Sequence, residues 1–421
     1  MDKRKTLEHL KSAVIVILCL TLVFLVWKSG LFKSSAGAAG TSRVDTQNTE
    51  SGEIDDSGSV SAEAARPMII VLNSEDGTRH ADKYDTASLN RTYERTGRLF
   101  AEAMGSAGEP VQIDAEDWHR ALCSPGACFI YLSPVKLSVL DGWLGTEITG
   151  LWKEMSARSV CIYEEHDGVH FAFADPDTGL MYSCATTLPA EALAEQTANA
   201  GESGAAYLFE TGRTDVPEQD VLIFSGSCEH PFLDASDPLA SGETMKDVLR
   251  QFGVDMESGS SYTDSDGTRV FIDNDFTIRI KGTDTLIYRL NEEPDGNAVS
   301  AAIAVEMVRD IIQRTAGRYC GDAEIRFLSA GADADGTYSI EFCYTAAGGR
   351  IFTGSSGTAV RARVKAGVIT DMTVRFRSYT VGAEQASLMP ELQTAAAAGG
   401  RFVLGYSDTG AGVIGPEWFA D

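Results

Sequence analysis

The feature that most constrains this chain is the apolar run from Ser12 to Trp27, bracketed by Lys11 and Lys28. Its 16 residues include no charge, proline or glycine, and only Ser12 and Thr21 carry a hydroxyl. As a helix rising about 1.5 Å per residue it reaches roughly 24 Å, slightly short of a ~30 Å hydrocarbon core. The flanking lysines can extend toward water and Trp27 suits the interface, so residues 12–28 are expected to form a transmembrane helix. Lys3, Arg4, Lys5 and Lys11 precede the run, against Lys28 and Lys33 just after it. That bias predicts residues 1–11 as a cytoplasmic tail and sends everything after Phe32 outside. A cleaved leader is the competing reading, because Ala36-Gly37-Ala38 offers a small-residue site. The site lies 11 positions past Trp27, however, and the run exceeds the usual ~7–15-residue signal core. A single-pass anchor in the cell membrane is the expectation.

An extracytoplasmic portion then needs its own core, and a chain that is 43% hydrophobic has material for one. Net charge is −26, but residues 1–33 hold 6 basic and 2 acidic side chains, leaving 29 basic against 59 acidic outside. Such a surface repels nucleic acid and anionic lipid, so no nucleic-acid partner is expected, and the bilayer is met through the one helix. Cys19 lies in the membrane run, and seven further cysteines follow it. An odd number rules out a fully paired framework within one chain. Cys123 and Cys128 could close a short loop; most of the seven read as small buried apolar side chains.

Ser34–Ala65 is Gly, Ser, Ala, Thr and acid with almost no large apolar residue, so residues 29–65 read as a flexible linker. Two α+β regions are expected beyond it, 66–255 and 256–421, each of antiparallel sheet with packed helices. In the first, Pro67–Leu72 reads as a buried strand, and Ser88–Met104 as a helix with Leu89, Tyr93, Leu99 and Phe100 facing the core. Asp114 is placed to cap a helix containing Trp118. Cys128–Leu132 is a strand and Pro134 opens a short helix through Trp143. Val160–Tyr163, Val169–Phe173 and Leu180–Cys184 form a meander, their connections rich in turn residues. Pro189–Ala200 and Glu243–Phe252 read as helices, and Tyr207–Phe209 and Val221–Phe224 as strands. In the second region Thr268–Asp273, Phe276–Ile280 and Thr285–Leu290 form another meander. A helix from Ala298 to about Ala316 then lies across a sheet built from Glu324–Leu328, Tyr338–Tyr344, Thr358–Lys365 and Ile369–Tyr379.

Asp117-Trp118 before Phe129-Ile130-Tyr131-Leu132, Thr268-Arg269-Val270-Phe271-Ile272 before Leu286-Ile287-Tyr288, and the closing Arg377-Ser378-Tyr379-Thr380 give the chain a likeness. With the basic N-terminus, membrane helix and linker, it resembles the YycH/YycI family of membrane-anchored regulators. The resemblance implies a protein without catalytic residues or cofactor that restrains an essential sensor histidine kinase governing cell-wall metabolism in Gram-positive bacteria. A sister regulator would be a second partner.

Chemistry-bearing patterns are few. His166 and His170 flank Asp167, but the spacing straddles a turn rather than one helical face, so no metal site is expected. Ser225-Gly226-Ser227-Cys228-Glu229-His230 lacks the Gly-x-Ser-x-Gly pattern of a nucleophile elbow. Asp264-x-Asp266-Gly267 and Asp333-x-Asp335-Gly336 lack the closing Glu of a calcium loop and read as turns.

One pattern is sharper. In Val360-Arg361-Ala362-Arg363-Val364-Lys365 and Met372-Thr373-Val374-Arg375-Phe376-Arg377, apolar residues alternate with bases or a hydroxyl. A three-residue loop Ala366-Gly367-Val368 pairs Lys365 with Ile369, Arg363 with Asp371 and Arg361 with Thr373. In that register Arg361, Arg363, Lys365, Arg375 and Arg377 share one face, a candidate docking stripe for an acidic partner. The bland alternative is a solvated face neutralised by a neighbouring strand, through Glu341. Taken together, the leading expectation is a non-enzymatic regulator that binds a sensor kinase. The alternative is a tethered module binding a cell-wall or small-molecule ligand, which a pocket lined by convergent polar groups would favour. An envelope hydrolase is a third, weaker reading.

Overall fold

Asp85 and Asp114 show how local signals place the first helices in this computed structural model, which describes residues 63–198, 201–213, 216, 218–226, 228–254 and 260–421. The Asp85 carboxylate accepts from the Ala87 and Ser88 N–H groups and starts α1, Thr86–Gly105. Asp114 accepts from Asp117 N–H and starts α2, Ala115–Cys123. Both satisfy backbone donors that a helix start otherwise leaves unpaired. The expected membrane helix of residues 12–28 and the linker up to residue 62 lie outside the described residues. Among those described, no helix is long and apolar enough to cross a membrane.

The architecture is α+β with antiparallel sheets. Seven strands make the first sheet: β1 Ile69–Asn73, β2 Arg79–Asp82, β3 Val111–Ile113, β4 Gly126–Lys136, β5 Ser156–Glu165, β6 Gly168–Asp175 and β7 Leu180–Ala185. Their order is β2-β1-β4-β5-β6-β7-β3. Alternation along β5 sends Val160 and Ile162 to one face and Cys161 and Tyr163 to the other. Both faces are covered. On one, Phe100 of α1 stacks on Phe129 at 4.6 Å between ring centres, beside α3 (Leu137–Leu144) and α4 (Ala190–Thr197). On the other, Trp118 and Leu122 of α2 lie over Cys128 and Cys161. Each such large side chain contributes about 1.5–3 kcal/mol by leaving water. The seven cysteines after Cys19 are free, six of them buried.

The middle of the chain supplies β8 Ala205–Tyr207, β9 Leu222–Phe224, β10 Glu229–Ser236 and α5 Gly242–Gln251. Beyond it come β11 Ser260–Thr263, β12 Arg269–Ile272, β13 Phe276–Lys281, β14 Thr285–Leu290, α6 Ala301–Arg314, β15 Glu324–Ala332, β16 Tyr338–Ala346, β17 Gly349–Thr353, β18 Val360–Lys365 and β19 Val368–Arg375. The chain closes with β20 Ser378–Ser387, α7 Glu391–Ala398, β21 Phe402–Asp408, β22 Val413–Ile414 and β23 Pro416–Ala420. The large sheet runs β11-β12-β13-β14-β19-β18-β16-β17-β21-β23, with β15 also on β16, while β20-β10-β22 form a small sheet. Helix α6 buries Ala304, Val308 and Ile312 against β15 and β16, as the expected helix across a sheet does. One core cluster takes in Phe129 and Phe171 from the first sheet together with Phe342 and Val374 from the large one.

Three local expectations are corrected. Pro134 does not open a helix; β4 continues past it to Lys136, and its register on β5 breaks between Ile130 and Val135. A proline without an N–H fits at such a break. The segment Tyr207–Phe209 is strand only to Tyr207 and then a 3-10 turn from Leu208. The strand expected over Ile369–Tyr379 ends at Arg375, and a new strand begins at Ser378 on β10.

Candidate functional site

The β18–β19 hairpin that carries the basic stripe closes differently from the three-residue loop. Val364 faces Ile369 and Lys365 faces Val368, leaving a two-residue turn in which Ala366 and Gly367 have φ of 49° and 73°. Thr370 is then the extra residue of a bulge, and its hydroxyl donates to the Arg363 carbonyl at 3.3 Å. That bulge restores Arg363 to Asp371 and Arg361 to Thr373, the expected pairs. Val360, Ala362, Val364, Met372, Val374 and Phe376 are all buried, the shared inner face read from the alternation.

On the outer face each base meets an acid. Arg361 Nε lies 2.7 Å from Glu341, Arg363 Nη2 3.1 Å from Asp333, Lys365 Nζ 2.9 Å from Glu293, and Arg375 Nη1 3.4 Å from Asp284. The hydrogen bond to Glu293 holds the Lys365 pKa above its usual value. Arg377 is not on this face. It is 7% exposed, with Nε 2.6 Å and Nη2 3.0 Å from the Asp408 carboxylate, a further pair to Asp237 and a bond to the Ala411 carbonyl. Burial works against the Arg377 charge, but the two carboxylates outweigh it and raise its pKa. The stripe therefore keeps four members, Arg361 and Arg363 exposed and Lys365 and Arg375 half-buried, and Arg377 belongs to a buried network.

The other sequence patterns also find places. At the β5–β6 hairpin, ligand-type atoms of Glu165, Asp167 and His170 lie within 4.8 Å of one another. His170 Nε2 is 2.9 Å from Asp167 and Nδ1 is 3.3 Å from Ser183 Oγ, so the exposed Asp167 and the imidazole already satisfy each other. His166 takes no part in that group. Ser225 Oγ donates to the Gly204 carbonyl, whereas His230 is buried between the Tyr84 and Trp418 rings, where desolvation lowers its pKa. Asp264 and Asp333 close turns, each through its own N–H to a carbonyl four residues on, at Thr268 and Thr337.

A cleft of about 380 Å³ between the two sheets is the site no motif announced. Its walls come from the start of the described chain, α1, the broken stretch of β4, α3, α6 and β15. The register break beside Pro134 frees Ser133 from the ladder and turns it to this side. Trp143, Phe327 and Phe342 form an aromatic wall, with Phe327 5.7 Å from Trp143 and 5.8 Å from Phe342 between ring centres. In the same cleft, Arg66 and Arg326 both bind Glu324, each at 2.6 Å to a different carboxylate oxygen. Arg326 also donates to the Arg66 and Pro67 carbonyls, at 2.7 and 3.2 Å.

The cleft is unusual in what it leaves unpaired. Arg66 Nε, Arg326 Nε, Trp143 Nε1, Asn90 Oδ1 and Ser133 Oγ are buried without a hydrogen-bond partner, and all five residues line this one cavity. A buried polar atom without a partner costs about 1–3 kcal/mol, and five of them stand in the walls of this one cavity. Sequence reading missed these residues because they are far apart in the chain. The one local trace is Glu324-x-Arg326, two charges on the same face of a strand whose next side chains are Ile325, Phe327 and Leu328. Comparison with known proteins adds no assignment: no family model, curated protein or solved structure matches this chain.

Proposed function

We propose that the chain is a membrane-tethered, non-catalytic binding protein of the outer face, whose inter-sheet cleft takes a small molecule. The observation that carries this reading is the convergence of five unpaired polar side chains on one aromatic-walled cavity. A mostly preformed cavity with a few placed polar groups is the usual form of a small-molecule site, and roughly 300–1,000 Å³ is its usual size. The Ser12–Trp27 run supplies the tether, and the acidic surface keeps the domain apart from an anionic bilayer.

Binding becomes regulation when occupancy biases a partner in the same membrane, and the resemblance to the YycH/YycI regulators supplies a sensor histidine kinase for that role. In this reading the exposed Arg361 and Arg363 and the half-buried Lys365 and Arg375 form an outer docking face, their ion pairs being weak enough to exchange for an acidic partner. Kinase phosphorylation, measured in cells with the chain present, deleted, or carrying an unrelated span in place of Ser12–Trp27, tests the regulator. Deletion should change kinase output. Unchanged output refutes the kinase partner, and output that is normal with the substitute span moves the contact to the outer region.

A further inference from the structure

We propose that the cleft takes a monoanionic carboxylate with an apolar, preferably aromatic, body, its carboxylate joining Glu324 between Arg66 and Arg326. This rests on the binding reading above and names the ligand class for the same site. Charge is the first reason. Two guanidiniums, with side chains 13% and 12% exposed, share the single Glu324 carboxylate. Arg309 is not available to alter that balance, because Glu306 already binds it through Nε at 2.8 Å; Glu63 also lines the cleft, but it is exposed and makes no ion pair with either guanidinium. The pair is thus one negative charge short in a partly desolvated place, where an unbalanced charge is costly.

The Arg377 network shows what the same chemistry looks like when complete. There one guanidinium meets two carboxylates, and its pKa is raised. At Arg326 burial lowers the pKa, Glu324 offsets that only in part, and the neighbouring Arg66 charge lowers it further. The second reason is the donors left over. Arg66 Nε, Arg326 Nε and Trp143 Nε1 are N–H groups without acceptors. A carboxylate brings two oxygens with several lone pairs and suits the planar guanidinium fork. The third reason is the aromatic wall, where Trp143, Phe327 and Phe342 offer ring edges and faces to an apolar body. One net positive charge and this wall favour a monoanion with a hydrophobic part over inorganic phosphate, which would overcharge the pair and leave the wall wet.

The test is equilibrium dialysis of the full chain in neutral nanodiscs, with empty nanodiscs subtracted. The probes are 2-naphthoate, the uncharged 2-naphthylmethanol and inorganic phosphate. Naphthoate should bind one per chain, and the alcohol and phosphate much more weakly. Arg66→Gln should weaken naphthoate binding by roughly tenfold to a hundredfold, the usual worth of a charge-assisted bond. Glu324→Gln should strengthen it, since the side chain competing for both guanidiniums is then neutral; a merely structural Glu324 would give the opposite sign. Circular dichroism checks the fold, and if Glu324→Gln does not fold, Arg66→Gln decides alone. Equal binding of naphthoate and naphthylmethanol overturns the carboxylate assignment while leaving a small-molecule cleft. Failure of all three probes, together with a set of neutral and cationic aromatic fragments, overturns both.

Discussion

Arg377→Met removes a charge from the buried network while keeping an apolar stem of similar reach. In the folded chain the Arg377 side chain is 8% exposed and its partner Asp408 only 2%. Without the guanidinium, Asp408 keeps the Tyr379 hydroxyl at 2.7 Å and the Gly410 N–H at 2.9 Å, but nothing balances its charge. Breaking a buried ion pair from one side costs about 3–5 kcal/mol. Arg361→Glu, on the outer face with the Arg361 side chain 57% exposed, should cost about 0–1 kcal/mol by the same measurement. Urea denaturation of the full chain, followed by circular dichroism, separates the two. Acid provides a second axis. Burial raises the Asp408 pKa, but Arg377, Tyr379 and the Gly410 N–H outweigh it and hold it below the usual carboxylate range. A folded pKa below the unfolded one contributes stability that is complete above about pH 4 and is lost as pH falls through the folded value. The gap between the native chain and Arg377→Met should therefore narrow below about pH 4. A loss under about 1 kcal/mol, or a gap that widens in acid, would refute a buried charge network.

Two further predictions concern topology and a turn. An impermeant label or trypsin applied to intact cells should reach sites after Phe32 and none before Lys11, and a mature protein beginning near Ala39 would show a cleaved leader instead. Ala366→Asn should stabilise the chain by about 0.5–1 kcal/mol in denaturant titration, because alanine at a φ of 49° is strained and Asn-Gly suits a two-residue hairpin turn; a destabilised variant would mean that the turn closes as the three-residue loop does.

What could be read from the sequence were the features set by near neighbours. The α1 core face, the Asp114 cap and the inner face of β18 and β19 each follow from a period or a cap within a few residues. Arg377 shows where that stops. Its place in the alternation after Arg375 is indistinguishable from the stripe, yet the strand ends at Arg375 and Asp408, 31 residues on, binds the Arg377 side chain inward. The cleft was less legible still, since Arg66 and Glu324 lie 258 residues apart and neither has a motif around it. Pro134 is ambiguous in the sequence: the residue that suits a helix start also suits a break in a ladder, and only the β5 pairing decides between them.

Those long separations bear on the order in which the protein can be made. Arg66 binds Glu324, Lys83 binds Glu391 across 308 positions, and Arg158 binds Asp421 across 263. Strand β10 has no sheet until β20 and β22 are available. A chain synthesised from its N-terminus therefore holds apolar strands ready, with their partners still unmade, until segments as far as 308 positions on have emerged. High contact order makes closure slow, and exposed strand edges during that wait invite association with other chains. Deleting Asp421, the partner of Arg158, should thus lower the yield of soluble protein more than it lowers the stability of the molecules that do fold, and a holding chaperone should restore the yield.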